Sequence, residues 1–200
     1  MGAFFKNSDP RRTLIGGMEL LPSWWSRPYE YQWARQFMDK DAIVADMGAG
    51  WSGRPFKEEM AMKCKEVYAV DRDPRFLELP RGAYENLHFI VADFEKEIDG
   101  IPPLDIVFCI SVLEDLTNYD AAVREFYRLL KPGGMLVITC DSQYDMDKPL
   151  PKYPGVSFDK LFNALQDAGF MLPPLNMDKT DAVINTDWNL SCFHMMLIKP

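Results

Sequence analysis

Apolar runs closed by turn signals recur along the chain in a regular order: 42–47 (AIVADM), 66–71 (EVYAVD), 87–92 (LHFIVA), 104–110 (LDIVFCI) and 135–140 (MLVITC). Short, nearly continuous apolar runs of this kind predict strands buried on both faces of a parallel sheet. Between them the period changes. In 119–131 (YDAAVREFYRLLK), Val123, Phe126, Tyr127 and Leu130 fall at i, i+3, i+4 and i+7, so one face of a helix is apolar while Arg124, Glu125 and Arg128 point elsewhere. Pro132-Gly133-Gly134 stops that helix. The same pattern returns in 157–168 behind a possible Ser157 cap, with Gly169 just past the end. Strands alternating with helices predict a doubly wound α/β sheet.

Two segments stand outside the alternation. In 23–33 (SWWSRPYEYQW), Ser26 is placed to cap a helix whose second position is Pro28, and Tyr29, Trp33 and Phe37 follow at i, i+4 and i+8. This predicts an aromatic cap helix within residues 1–40, laid on a core of residues 41–200. At the other end, 171–175 (MLPPL) and 191–199 (SCFHMMLIK) are joined by a polar link too short for a crossover helix, which predicts an antiparallel hairpin closing the sheet.

Two hundred residues, 48% of them apolar, suit one domain with a substantial core. With 22 basic against 30 acidic residues the formal charge is −8, and no Lys/Arg block is present to neutralise a row of phosphates, so nucleic acid is not an expected partner. No apolar run approaches the roughly 18 to 20 residues that span a bilayer, and the amino terminus lacks the apolar core of a signal peptide; the expected location is the cytoplasm, away from membranes. Cys64, Cys109, Cys140 and Cys192 form no C-x-x-C pair and read as reduced, buried apolar residues. Nothing in the pattern specifies an oligomeric state.

The chemistry centres on VADMGAGWSG, residues 44–53, where glycines at 48, 50 and 53 spell G-x-G-x-x-G at the end of the first predicted strand. Glycine there admits positive φ and lets the backbone approach a ligand. Either a dinucleotide or another nucleoside cofactor fits such a turn. Asp71 closes the second strand about twenty residues later, the spacing at which a carboxylate accepts both hydroxyl protons of a ribose. Asp93 ends the third strand beside Phe94, placed to accept from an adenine amino group while the ring is covered. Any one of these aspartates taken singly also fits a helix cap or a solvated strand end. Charge separates the ligands. Asp46, Asp71, Asp93 and Asp141 gather at one sheet edge, where a pyrophosphate would be repelled and a cofactor of net positive charge favoured.

In their order and spacing, VADMGAG, VYAVDRD, VADF, LDIVFCISVLEDL and LLKPGGMLVIT resemble the motifs of the class I S-adenosylmethionine-dependent methyltransferases, over roughly Ile43 to Thr139. The resemblance implies a Rossmann-like, seven-stranded, mostly parallel sheet with an antiparallel C-terminal hairpin strand. It implies S-adenosylmethionine as cofactor, with the backbone around Gly48, Ala49 and Gly50 holding the methionine part, Asp71 the ribose, and Asp93 with Phe94 the adenine. Asp46, Arg72, Ile110 and Ser111 border the same crevice and join the expected contacts. Arg27 and Tyr31 are placed to reach the cofactor carboxylate from the cap, where Trp24 or Trp25 would form a wall. The chain departs from the family at Ser52, often a glycine, and at Glu114-Asp115, often Glu-His.

Methyl transfer is an in-line displacement in which proximity and alignment supply much of the rate, and deprotonating the nucleophile is the step that calls for a side chain. Glu114 and Asp115, just past the fourth strand, are the candidates to accept a proton or attract an amine; capping the next helix or facing water fits them equally. His88 lies at the wrong end of its strand, and His194 reads as a packed residue. Metal-dependent relatives carry an acid directly after the fourth strand, where this chain has Ile110-Ser111, so no metal is expected. The resulting expectation is metal-independent transfer to an O or N nucleophile on a small molecule, a peptide or a carrier. A cofactor-binding sensor or subunit without catalysis, and an NAD-dependent oxidoreductase, are the rival readings. The connection 141–155 (DSQYDMDKPLPKYPG), long for a loop, is a second candidate cover for the site.

Overall fold

A computed structural model describes residues 1–50, 55–78, 84–148 and 155–200. Along the chain these form β1 (Gly2–Phe4), β2 (Leu14–Ile15), β3 (Met18–Glu19), α1 (Arg27–Ala34), β4 (Ile43–Met47), α2 (Phe56–Lys63), β5 (Glu66–Asp71), β6 (Leu87–Val91) and β7 (Leu104–Ile110). Then come α3 (Tyr119–Leu129), β8 (Leu130–Gln143), α4 (Phe158–Ala168), β9 (Leu175–Asn176), β10 (Ile184–Asn185) and β11 (Leu190–Ile198).

Strands β6-β5-β4-β7-β8 pair in parallel in that order, and β11 lies antiparallel on β8 from Leu190 opposite Gln143 to Ile198 opposite Met135. The fold is therefore the mostly parallel, doubly wound sheet that the apolar runs predict. Alternation along each strand feeds both faces. Ala45, Val107 and Cys109 pack with Ala122, Phe126, Leu161 and Leu165 of α3 and α4, whereas Val44, Ile106 and Phe108 pack with Tyr31, Ala34, Phe56 and Met60 of α1 and α2. Helix α3 has the expected apolar face, and Asn118 caps it by accepting from the Ala121 amide. Helix α4 ends on Gly169 in the left-handed conformation, as read; Ser157 stands at its N-cap without a side-chain capping bond.

The C-terminal edge differs from the predicted hairpin. Leu175 and Asn176 do not pair with the last strand; the amino-terminal Gly2–Phe4 lies between them, antiparallel to β11 and parallel to β9. The reason is packing. Phe4 is almost fully buried and meets the rings of Phe193 and Phe158 edge-to-face at 5.2 and 5.8 Å, an apolar fit that the two prolines of 171–175, which lack amide donors, could not extend. Residues 1–40 are accordingly divided between a sheet strand, the small β2–β3 hairpin and α1. No helix among the described residues is long and apolar enough to cross a membrane.

Candidate active site

The parallel strands end together at one edge, where an open α/β sheet holds its ligands. The turn after β4 is tied down from its neighbour: the amides of Gly48 and Ala49 both donate to the Val70 carbonyl, and the Gly50 amide donates to Asp71 Oδ2 at 2.8 Å. Asp71 also accepts from the Asp73 amide at 2.9 Å through Oδ1, so its carboxylate is held in place at the end of β5. Gly48 has φ +79°, and a Cβ there would stand 2.5 Å from Val112 Cγ2. Only glycine fits that close approach.

Around this turn is a cavity of about 270 Å³ lined by Gly48, Gly50, Asp71, Arg72, Asp73, Asp93, Phe94, Val112, Asp115 and Leu116. Among the described lining, four carboxylates stand with one guanidinium. Lys96 sits 3.1 Å from Asp93 and holds its carboxyl below the usual range. Phe94 is packed against Phe126, with the ring centroids 5.5 Å apart.

A second cavity, about 220 Å³, borders the same turn after β7 and shares Asp115 with the first. Arg27, Ser111, Glu114, Asp141, Gly155, Trp188 and Leu190 complete its lining. Its frame is a buried polar cluster around Glu30, a residue with no exposed surface. Arg27 Nη1 lies 2.5 Å from Glu30 Oε2; Thr139 Oγ1 donates to Oε1 at 2.6 Å, and the Ser111 hydroxyl donates to the same oxygen. Burial alone would raise the Glu30 carboxyl, but the Arg27 charge and these hydroxyls prevail and hold it below its ordinary value. Ser111, with φ 45°, is kept in this left-handed conformation by its amide bond to the Thr139 carbonyl and by the Glu30 bond.

Glu114 and Asp141 behave in the opposite way. Burial and the neighbouring Asp141 push the Glu114 carboxyl well above its ordinary value; burial and Glu30 push that of Asp141 up to about 7. Glu114 Oε2 and Asp141 Oδ1 are buried and have no hydrogen-bond partner among the described residues.

Of the residues singled out from the sequence, Gly48, Gly50, Asp71, Arg72, Asp93, Phe94 and Asp115 line the first cavity, and Arg27, Ser111, Glu114 and again Asp115 line the second. Four lie elsewhere. Asp46 is 5% exposed within β4, opposite Ala69 and Phe108; Ala49 is buried under its bond to Val70; Ile110 pairs with Thr139 in the core. Tyr31, 2% exposed, is stacked on Phe56 at 4.6 Å, so its ring serves the packing of α1 on α2. Trp51, Ser52 and Gly53, and residues 149–154 of the 141–155 connection, lie outside the described residues. Trp24 and Trp25 border a further 160 Å³ space that shares Arg27, Asp141 and Trp188 with the second cavity. His194 lies between the rings of Phe5 and Trp33, and burial lowers its pKa to about 4. Sequence reading did not single out Glu30, Val112 or Trp188. Glu30 carried one signal, a spacing of three from Arg27, which on an ordinary helix marks a surface pair.

A methyltransferase-domain family model matches residues 45–138. A malonyl acyl-carrier-protein O-methyltransferase of Serratia marcescens is 28% identical over 97 residues, 48% of this chain and 36% of that protein. A ubiquinone/menaquinone biosynthesis C-methyltransferase of Pseudomonas putida is 36% identical over 85 residues, 40% of this chain and 30% of its own length. The chain thus spans less than half the length of these curated relatives. Among solved structures, the cyclase SpnF superposes with a TM-score of 0.74 at 14% identity, covering 98% of this chain and 86% of that one. The N-methyltransferase NodS of Bradyrhizobium japonicum, in complex with S-adenosylhomocysteine, superposes with a TM-score of 0.58 at 14% identity, covering 80% and 79%.

Proposed function

We propose that this chain, a member of the class I S-adenosylmethionine-dependent methyltransferases, transfers the cofactor's methyl group to a small acceptor held in the cavity bordered by Trp188. The observation that carries this reading is the meeting of two cavities at one turn: Val112, Asp115 and Leu116 face the first, and Ser111, Glu114 and Asp115 the second. The first suits the cofactor. Its glycine turn lies directly against Val112, where a Cβ would clash, and among the described lining its carboxylates outnumber its one guanidinium, which favours a ligand of net positive charge. Asp71 would hold the ribose hydroxyls, Asp93 and Phe94 the adenine, and the backbone of Gly48 to Gly50 the methionine part.

When bound, the cofactor supplies a methyl group on a positively charged sulfur that departs as a neutral thioether. The protein's task is then alignment and proton removal. The Glu30 cluster fixes Arg27 and Ser111 on the wall of the second cavity, and Glu114, Asp115 and Asp141 are the groups able to take a proton from the acceptor. We assign Arg27 to holding this frame and, through its outer face, to orienting the cofactor carboxylate.

Parallel calorimetric titrations with S-adenosylmethionine, S-adenosylhomocysteine and NAD test the reading. The two adenosyl ligands should bind and NAD should not; binding of NAD alone would overturn it. Asp71→Ala should weaken S-adenosylhomocysteine binding by about 1–3 kcal/mol, and an unchanged affinity rejects the ribose assignment. SpnF has this fold and is a cyclase, so fold alone does not specify the reaction. Mass-spectrometric detection of S-adenosylhomocysteine formed in the presence of candidate acceptors separates methyl transfer from binding without turnover.

A further inference from the structure

We propose that the methyl acceptor is a protonated amine, gripped through its N–H groups by the Glu114 and Asp141 carboxyls, one of which then takes its proton. This rests on the cofactor reading above. Glu114 Oε2 and Asp141 Oδ1 are buried without a hydrogen-bond partner among the described residues, and both residues line one cavity. Buried polar atoms are nearly always satisfied, so two carboxyls that line one space and each keep an unsatisfied oxygen point to a ligand that brings donors. No cation of the protein donates to either oxygen among the described residues. Arg27 is the one cationic residue among the described lining of that cavity, and its guanidinium is bound to Glu30 at 2.5 Å and to the Ser111 carbonyl at 3.4 Å.

The charge of the missing partner follows from its neighbours. Asp115 is a third carboxyl in the lining, so a carboxylate-bearing acceptor would add a fourth acid to the space. An alcohol brings a single donor for two acceptors. An ammonium brings up to three donors together with the positive charge that lets both carboxyls ionise. The rim agrees in composition, because Trp188 borders this cavity and Trp24 and Trp25 the adjoining space, and tryptophan is the side chain that most favours a nearby ammonium.

The step balances. The ammonium gives one proton to the carboxyl pair, and the freed nitrogen lone pair forms the N–C bond to the donor's methyl carbon. The C–S bond breaks with its electrons remaining on sulfur. The products are a methylated ammonium, a neutral thioether and one proton that leaves the pair for solvent.

The test uses the full chain saturated with S-adenosylhomocysteine at a pH just below neutral. Phenethylamine and butylamine are titrated beside the alcohol and carboxylate of each skeleton, in two buffers of different ionisation heat. The amines should bind at least about tenfold tighter than their alcohols and carboxylates and release protons to the buffer. In Glu114→Gln and Asp141→Asn the preference should fall below about threefold and the proton release should shrink, with S-adenosylhomocysteine affinity as the control for an intact fold. Alcohols or carboxylates binding as well as the amines would overturn the proposal, as would a preference that survives both variants. If a variant fails to fold, the wild-type preference and proton release still decide. Failure of S-adenosylhomocysteine to bind the wild type would instead overturn the cofactor reading on which the proposal stands.

Discussion

Gly48 shows how much one missing side chain accomplishes. Its positive φ and the 2.5 Å that a Cβ would leave to Val112 Cγ2 act together, because the turn that bends β4 toward its ligand also brings the post-β7 segment against it. Gly48→Ala should therefore displace Val112 and the cofactor backbone at once. We expect a loss of about 1–3 kcal/mol in stability by denaturant unfolding and at least about tenfold weaker S-adenosylhomocysteine binding. A residue of the other kind is Asp141, an acid whose folded pKa of about 7 lies above its ordinary 3.8. Burial and Glu30 raise it, Arg27 opposes the rise, and Asp115 and Glu114 also bear on it. As pH climbs from about 4 to about 7 the unfolded chain releases this proton while the folded one retains it, so stability contributed at low pH is lost as pH rises through that window. Asp141→Asn removes the loss. The stability of the variant relative to wild type, followed by thermal melts from acid to neutral pH, should grow by on the order of 2 kcal/mol across it. Gly48 and Asp71 were legible because strand-end motifs are local in sequence. The pairing of Asp141 with Glu114 was not, since 27 positions separate them and the sheet brings them together.

At the scale of elements, α1 departs most from its pattern. Its aromatic spacing predicts a helix with Tyr29, Trp33 and Phe37 toward the sheet; Tyr29 meets Phe5, Trp33 meets Phe5 and His194, and Phe37 packs on Trp33. A carboxylate, Glu30, is nevertheless buried as completely as Ala34 on the same helix. It joins the helix to the ends of β7 and β8 by accepting from Ser111 and Thr139 and holding Arg27. Hydrophobic periodicity cannot announce a polar residue at an apolar position; the compensation lies in partners from distant strands. Glu30→Ala would leave a guanidinium and two hydroxyls buried without their acceptor. The expected cost is roughly 3–5 kcal/mol, read from chemical denaturation. A loss under about 1 kcal/mol would show that water replaces the carboxylate and that the cluster does not brace the site.

Across the whole molecule, the chain's two ends complete the sheet together. β1 is inserted between β11 and β9, so residues expected in a peripheral cap become part of the main sheet, with Phe4 in the core beside Phe193 and Phe158. Phe4→Ala should cost about 3–5 kcal/mol in equilibrium unfolding while S-adenosylhomocysteine affinity of the folded protein is kept, because the cavity it opens is remote from the glycine turn. The parallel strands and their alternation with helices followed from the amino-acid sequence, since each buried run is closed by its own turn chemistry. So did the glycine turn and the place of Asp71 beside it, whose spacing is set along one strand–helix–strand unit. The partner of β11, the burial of Glu30 and the shared cavity wall of Glu114 and Asp141 depend on contacts between segments far apart in the chain. Such contacts are chosen by which surfaces fit and which charges find compensation once the whole sheet has closed.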